Sequence, residues 1–157
     1  MILDFNLKIL KNRIAFGSYF ENKLLDYFNK NELNIKNVSL NKPYCWYDFI
    51  KISKDCIKII ELKSIQQSNK NNSTIYLVSK HKVNNYKRLK KKKYNNLEFY
   101  YIYNEVSTQN EYEFFIYKLD INTIDDYYIT TMPDNTQYYE INRNNFTRLK
   151  DSLTMLF

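Results

Sequence analysis

A single α+β domain, a sheet flanked by helices, is what three observations on this chain predict. Its 157 residues suit one domain with a real core and leave no room for a catalytic domain beside a separate recognition domain. Apolar patterns follow one another in the order helix, strand, strand, strand, helix, strand, strand between about residues 13 and 120. Two isoleucine-rich runs, 48–52 and 57–63, are parted only by the polar residues 53–56, which predicts a tight antiparallel hairpin.

The first element is a helix over 13–28, with apolar or small residues at Ile14, Gly17, Leu24 and Phe28. Glu21 fills the vacant slot of that stripe, and a carboxylate there needs a partner because an isolated buried charge is expensive. The plain reading sets Glu21 at the stripe's edge, paired with a lysine. Against it stands Gly17, the only glycine of the protein, one turn earlier, where glycine costs about 1 kcal/mol relative to alanine. Such a residue is expected to permit a close approach. Residues 29–47 are polar and irregular, Pro43 marks a connection, and Tyr44 and Trp46 are expected to cover the core.

The hairpin is the centre of the chain. If it folds back about Lys54 and Asp55, Ile52 faces Ile57, Ile50 faces Ile59, and Asp48 comes opposite Glu61. Facing Cβ atoms lie roughly 5 Å apart, so the two carboxylates repel unless a cation lies between them. Oxygen ligands at short range suit Mg²⁺ or Mn²⁺. Lys63, two residues on, shares the face of Glu61.

A polar loop, 64–73, leads to a short strand, 74–78, and a helix with Ser79 as N-cap. Val83, Tyr86 and Leu89 can face inward, while Lys80, Lys82, Lys87, Arg88, Lys90, Lys91, Lys92 and Lys93 crowd the outside and the end. Residues 63–96 hold ten lysines and arginines and no acid, against fourteen and seventeen elsewhere, so the net charge of +7 is local. Like charges this dense repel one another unless a polyanion is bound, and clustered cations track a phosphate backbone. The alternative is a solvated charge run; nucleic acid is favoured. The sixteen tyrosines carry less weight, because a surplus of Lys, Asn, Ile and Tyr follows from A- and T-rich codons.

Strands are predicted over 97–104 and 113–119, joined by a turn at 107–110, with a further strand at 127–131. A final amphipathic helix from about residue 144 would align Phe146, Leu149, Leu153 and Phe157. Residues 98–157 hold ten acids and four bases, which speaks against a DNA-facing surface there. Cys45 and Cys56 form no Cys-x-x-Cys pair and read as reduced structural thiols, and His81, the single histidine, reads as a surface residue. No apolar run is long enough for a bilayer and no signal-peptide order opens the chain, so an intracellular protein without membrane contact is expected.

The acid Asp48, the hairpin and Glu61-Leu62-Lys63 together resemble the core motif of the PD-(D/E)XK nuclease superfamily, with Tyr47 where that pattern has proline. Gly17-Ser-Tyr-Phe-Glu21 is similar to the helix that precedes the catalytic hairpin there, and Lys82-Val-Asn-Asn-Tyr86 is similar to its Gln-x-x-x-Tyr, with lysine for glutamine. The resemblance implies a restriction-endonuclease-like fold with a central mixed sheet. It implies Mg²⁺, with Mn²⁺ as substitute, held by Asp48, Glu61, the backbone carbonyl of Leu62 and, directly or through water, Glu21. Lys63 would orient the attacking water or stabilise the transition state. Double-stranded DNA is the implied partner and a homodimer or larger homo-oligomer the economical assembly. Site-specific cleavage of a restriction or homing type is the first expectation and Holliday junction resolution the second. A basic nucleic-acid-binding module on a decayed nuclease scaffold is the non-enzymatic rival, opposed by the intact set Asp48, Glu61, Lys63 and Glu21.

Overall fold

The computed structural model of the protein describes residues 13–39, 45–66, 75–92 and 95–157, with the backbone alone at 13 and 14. The architecture is the expected one, a mixed central sheet flanked by helices. Helix α1 (Arg13–Lys30) leads to the two-residue strand β1 (Lys36–Asn37), then to β2 (Phe49–Ile52) and the long β3 (Ile57–Gln66). Strand β4 (Ile75–Ser79) runs into helix α2 (Lys80–Lys92), followed by β5 (Leu97–Thr108) and β6 (Glu111–Lys118). Beyond these lie β7 (Tyr128–Thr131), β8 (Gln137–Asn142) and β9 (Thr147–Arg148).

The central sheet has the order β1-β2-β3-β5-β6-β9, and β3 and β5 are its parallel pair, joined across β4 and α2. Its middle strands are apolar on both sides because both faces are covered. Phe49, Ile60, Leu62, Tyr100 and Ile102 pack against Phe20, Leu24 and Phe28 of α1. Ile59, Phe99, Tyr101 and Tyr103 meet Val83 and Tyr86 of α2 and Tyr76, Val78, Tyr139 and Ile141 of a second sheet, ordered β4-β8-β7. The Tyr76 ring stacks on Tyr103 at 4.1 Å between centroids. The Tyr76 hydroxyl donates to the Glu105 carboxylate, which Arg143 holds from Nη2 at 2.7 Å. That network joins the second sheet to β5.

Several expected boundaries shift. Strand β3 continues to Gln66 instead of ending at Lys63, because its partner β5 runs on to Thr108. Residues 67–74, the rest of the expected loop, lie outside the described residues, as do Pro43, Tyr44 and Lys93. Strand β4 and the foreseen strand at Tyr128–Thr131 belong to the second sheet, built around β8, which no sequence pattern announced. Trp46 does cover the core, packing edge-on against Phe99 at 5.4 Å.

The expected terminal helix is a correction. Residues 143–157 form three short 3₁₀ turns with β9 between them, where Thr147 and Arg148 pair with Ile116 and Phe115. Phe146 enters the core on the α2 side of the sheet, while Leu149 and Leu156 enter the core on the α1 side. Apolar residues that serve opposite faces of one sheet cannot share a helical stripe. The hairpin lysines clamp this segment: Lys51 Nζ donates to the Leu156 carbonyl at 2.7 Å and Lys58 Nζ to that of Met155 at 2.9 Å. They satisfy carbonyls that a helical end leaves open. Among the described residues no helix is long and apolar enough to cross a membrane.

Candidate active site

The hairpin register is the one the sequence predicts, with Ile52 opposite Ile57 and Ile50 opposite Ile59, closed by the Ser53 N–H on the Cys56 carbonyl at 3.0 Å. The ladder ends one step before Asp48. The Asp48 N–H donates to the Ile60 carbonyl at 2.9 Å, a one-residue slip from strict pairing with Glu61, and its carbonyl accepts from the Val38 N–H at 2.8 Å. This local irregularity turns the Asp48 side chain across the strand, as bulges do. Its Oδ2 accepts from the Leu62 N–H at 2.8 Å. The carboxyl groups of Asp48 and Glu61 thereby meet.

That meeting is electrostatically costly. Burial first, and the Asp48 charge second, push the Glu61 carboxyl up to about 8, while Lys82 pulls the other way. Burial also raises Asp48, opposed by its bond from the Leu62 N–H and reinforced by the charge of Glu21. The Lys82 ammonium ion-pairs with Glu61 Oε1. Glu61 Oε2 is buried with no hydrogen-bond partner among the described residues. On the neighbouring strand Tyr101 stands directly opposite Glu61. Its hydroxyl is likewise buried, and burial, helped by the Glu61 charge and opposed by the Ser79 backbone, holds it well above the ordinary tyrosine range. Two acids brought together in a partly buried site favour a shared proton or a cation between them.

Glu21 reaches the same neighbourhood from α1. Its Oε2 accepts from Ser39 Oγ at 2.8 Å and from Asn37 Nδ2 at 3.3 Å, at the end of the edge strand β1. Among the described residues its partners are these polar groups and not the lysine of the plain reading. Gly17 does not serve the expected close approach: among the described residues nothing lies within 4 Å of where its Cβ would be. The buried stripe of α1 is Phe20, Leu24 and Phe28, with Glu21 beside it. Among the described residues no three acidic, histidine or cysteine side chains converge to hold a metal by themselves. Asp48 and Glu61 form a pair, and Glu21 stays outside it because Ser39 and Asn37 hold its oxygen.

Lys63 is exposed, with its ammonium 5.4 Å from the centroid of the Tyr138 ring. Lys82 contacts Glu61 instead, and Tyr86 is buried, its hydroxyl donating to the Leu97 carbonyl at 3.0 Å. Other cations of α2 divide in the same way. Lys87 pairs with Asp125 at 2.8 Å and Lys90 lies over the Tyr86 ring, whereas Arg88, Lys91 and Lys92 are exposed. Tyr101, Asn37 and Ser39 were not signalled by the sequence. Tyr101 had a retrievable signal, since a strand parallel to β3 must place one residue opposite Glu61.

The oxygen-only donors and the unpartnered Glu61 Oε2 fit a hard divalent cation. Without one, the folded protein holds the Glu61 proton more tightly than the unfolded chain does. Between the ordinary value of 4.5 and about 8 this contribution makes stability fall as pH rises. Urea unfolding in EDTA should show a loss on the order of a few kcal/mol across that window. Glu61→Gln should remove most of the slope; an unchanged slope would place the proton elsewhere.

No protein-family model and no curated protein matches the chain. Among solved structures it is similar to Hjc, a Holliday junction resolvase from the archaeal hyperthermophile Archaeoglobus fulgidus, with 13% identity and a TM-score of 0.47, over 88% of this chain and 98% of that one.

Proposed function

We propose that the chain is a single-domain endonuclease that uses a divalent metal, Mg²⁺ or in its place Mn²⁺, to hydrolyse phosphodiester bonds of double-stranded DNA. The observation that carries this reading is the partly buried Asp48–Glu61 pair, in which Asp48 is fixed by the Leu62 N–H and the buried Glu61 Oε2 has no hydrogen-bond partner among the described residues. Burying two acids together costs stability. A cation-dependent function accounts for that cost, and a purely structural role does not.

In this reading Asp48 and Glu61 hold the metal with the backbone carbonyl of Leu62, and Glu21 takes part through water. When bound, the metal acidifies an attacking water and neutralises charge on the phosphate. Lys63 presents its ammonium on the face of Glu61, where it meets the scissile phosphate and stabilises the charge that builds there. The Tyr101 hydroxyl, kept protonated by burial and by the Glu61 charge, is a donor for water in the site. Lys80, Arg88, Lys91 and Lys92 continue the positive surface along α2 and follow the backbone of the duplex, with Lys87 and Lys90 tied in part to Asp125 and Tyr86. A homodimer presents two such sites and cuts both strands. Site-specific cleavage of duplex is the form proposed.

Incubation with random-sequence duplex and with four-way-junction DNA in Mg²⁺, followed by mapping of the ends, tests this. Cuts at a fixed sequence are expected. Symmetric cuts confined to the junction would make the protein a resolvase with the same chemistry. Asp48→Asn should lower the rate by roughly three orders of magnitude; undiminished cleavage would remove the carboxylate pair from the chemistry. Replacing Arg88, Lys91 and Lys92 together with alanine should weaken binding to all sequences alike. The slope of log affinity against log salt should flatten by about one per lost contact, and an unchanged slope would take α2 out of the interface.

A further inference from the structure

Two lysines lie near the carboxylate pair, and they are placed differently. Lys63 follows Glu61 on β3 but is exposed, and among the described residues it makes no ion pair. Lys82 comes from the first turn of α2, where its N–H donates to the capping Ser79 Oγ at 3.4 Å. The next residue, Val83, is fully buried, which fixes the rotation of that turn and directs Lys82 toward β3. Its ammonium rests on Glu61 Oε1, and its charge is also felt by Asp48. The Lys82 side chain remains 27% exposed, so a path to solvent is open to its flexible stem.

We propose that Lys82 is the resident counter-cation of the Asp48–Glu61 pair, occupying the Glu61 oxygen until a divalent ion takes its place and then turning to the phosphate of the substrate. The inference rests on the metal-dependent reading above. An ammonium on Oε1 and a divalent ion drawn to Oε2 of the same carboxylate repel each other at this range. Lys82 therefore leaves Glu61 when the metal arrives. A displaced lysine at the mouth of the site needs a new anion, and a DNA phosphate beside the pair supplies one. Metal and DNA then reinforce each other's binding, because each relieves what the other disturbs.

Titration with Mn²⁺ in the absence of DNA, followed by electron paramagnetic resonance of the free ion, reads this without turnover. Lys82→Met should bind Mn²⁺ roughly tenfold tighter than wild type, since the competing charge is gone. Lys82→Arg and Lys63→Met should stay near the wild-type value. Added DNA should tighten Mn²⁺ binding in wild type and much less in Lys82→Met. Should Lys82→Met fail to fold, Lys82→Gln carries the same expectation. Equal or weaker Mn²⁺ binding by the Lys82 variant, with wild-type binding still lost in Glu61→Gln, would overturn the role of Lys82 and leave the metal site standing. If Glu61→Gln binds Mn²⁺ as well as wild type, the metal site itself is misplaced and this inference falls with it.

Discussion

Two carboxyl groups brought together in a partly buried site favour a shared proton or a cation over two bare anions, and much of the structure around Asp48 and Glu61 answers that constraint. The slip at the end of β2 turns the Asp48 side chain toward the Leu62 N–H, a bond that favours its ionised form. Helix α2 brings an ammonium to one oxygen of Glu61, and the other has no hydrogen-bond partner among the described residues. Tyr101 closes the site from β5 with a hydroxyl that stays protonated. Glu21 adds further negative charge from across the edge strand, held by Ser39 and Asn37. The arrangement is stabilised by the sheet behind it and unfavourable within itself, which is the usual condition of a site built for a ligand.

The sheet supplies that stability because β3 and β5 are covered on both faces. Along β3, Ile60 and Leu62 alternate with Ile59 and Glu61, so one face of the strand, beside Phe49 of β2, anchors α1 while the other carries the acid among apolar neighbours. Replacing water by protein on that face is what raises the Glu61 carboxyl. Fold and site are thus coupled through a single strand.

What was legible in the sequence was local. The register of the hairpin followed from a tight turn and alternating isoleucines, and the Ser79 cap from the residues after it. Glu21 reached the expected neighbourhood for a reason other than the one inferred, since Gly17 has open space and Phe20 carries the stripe. The second sheet was not legible, because its central strand β8 (Gln137–Asn142), beside pairing with β7, pairs with β4 about sixty residues away in sequence. The terminal segment misled for a related reason: Phe146 and Leu149 have helical spacing but serve opposite faces of the sheet. The slip at Asp48 and the pairing of Lys82 with Glu61 depend on tertiary geometry that no spacing rule encodes.

The central claim is that the carboxylate pair is a divalent-cation site, and the melting temperature of the DNA-free protein against Mg²⁺ concentration tests it most directly. An ion that binds the native state and not the unfolded chain stabilises by RT ln(1 + [Mg²⁺]/Kd), so the melting temperature should climb with the logarithm of concentration above Kd. In Asp48→Asn the climb should vanish, while its melting temperature in EDTA should be no lower than that of wild type, a like-charge pair having been relieved. An equal Mg²⁺-dependent climb in wild type and Asp48→Asn would contradict the account.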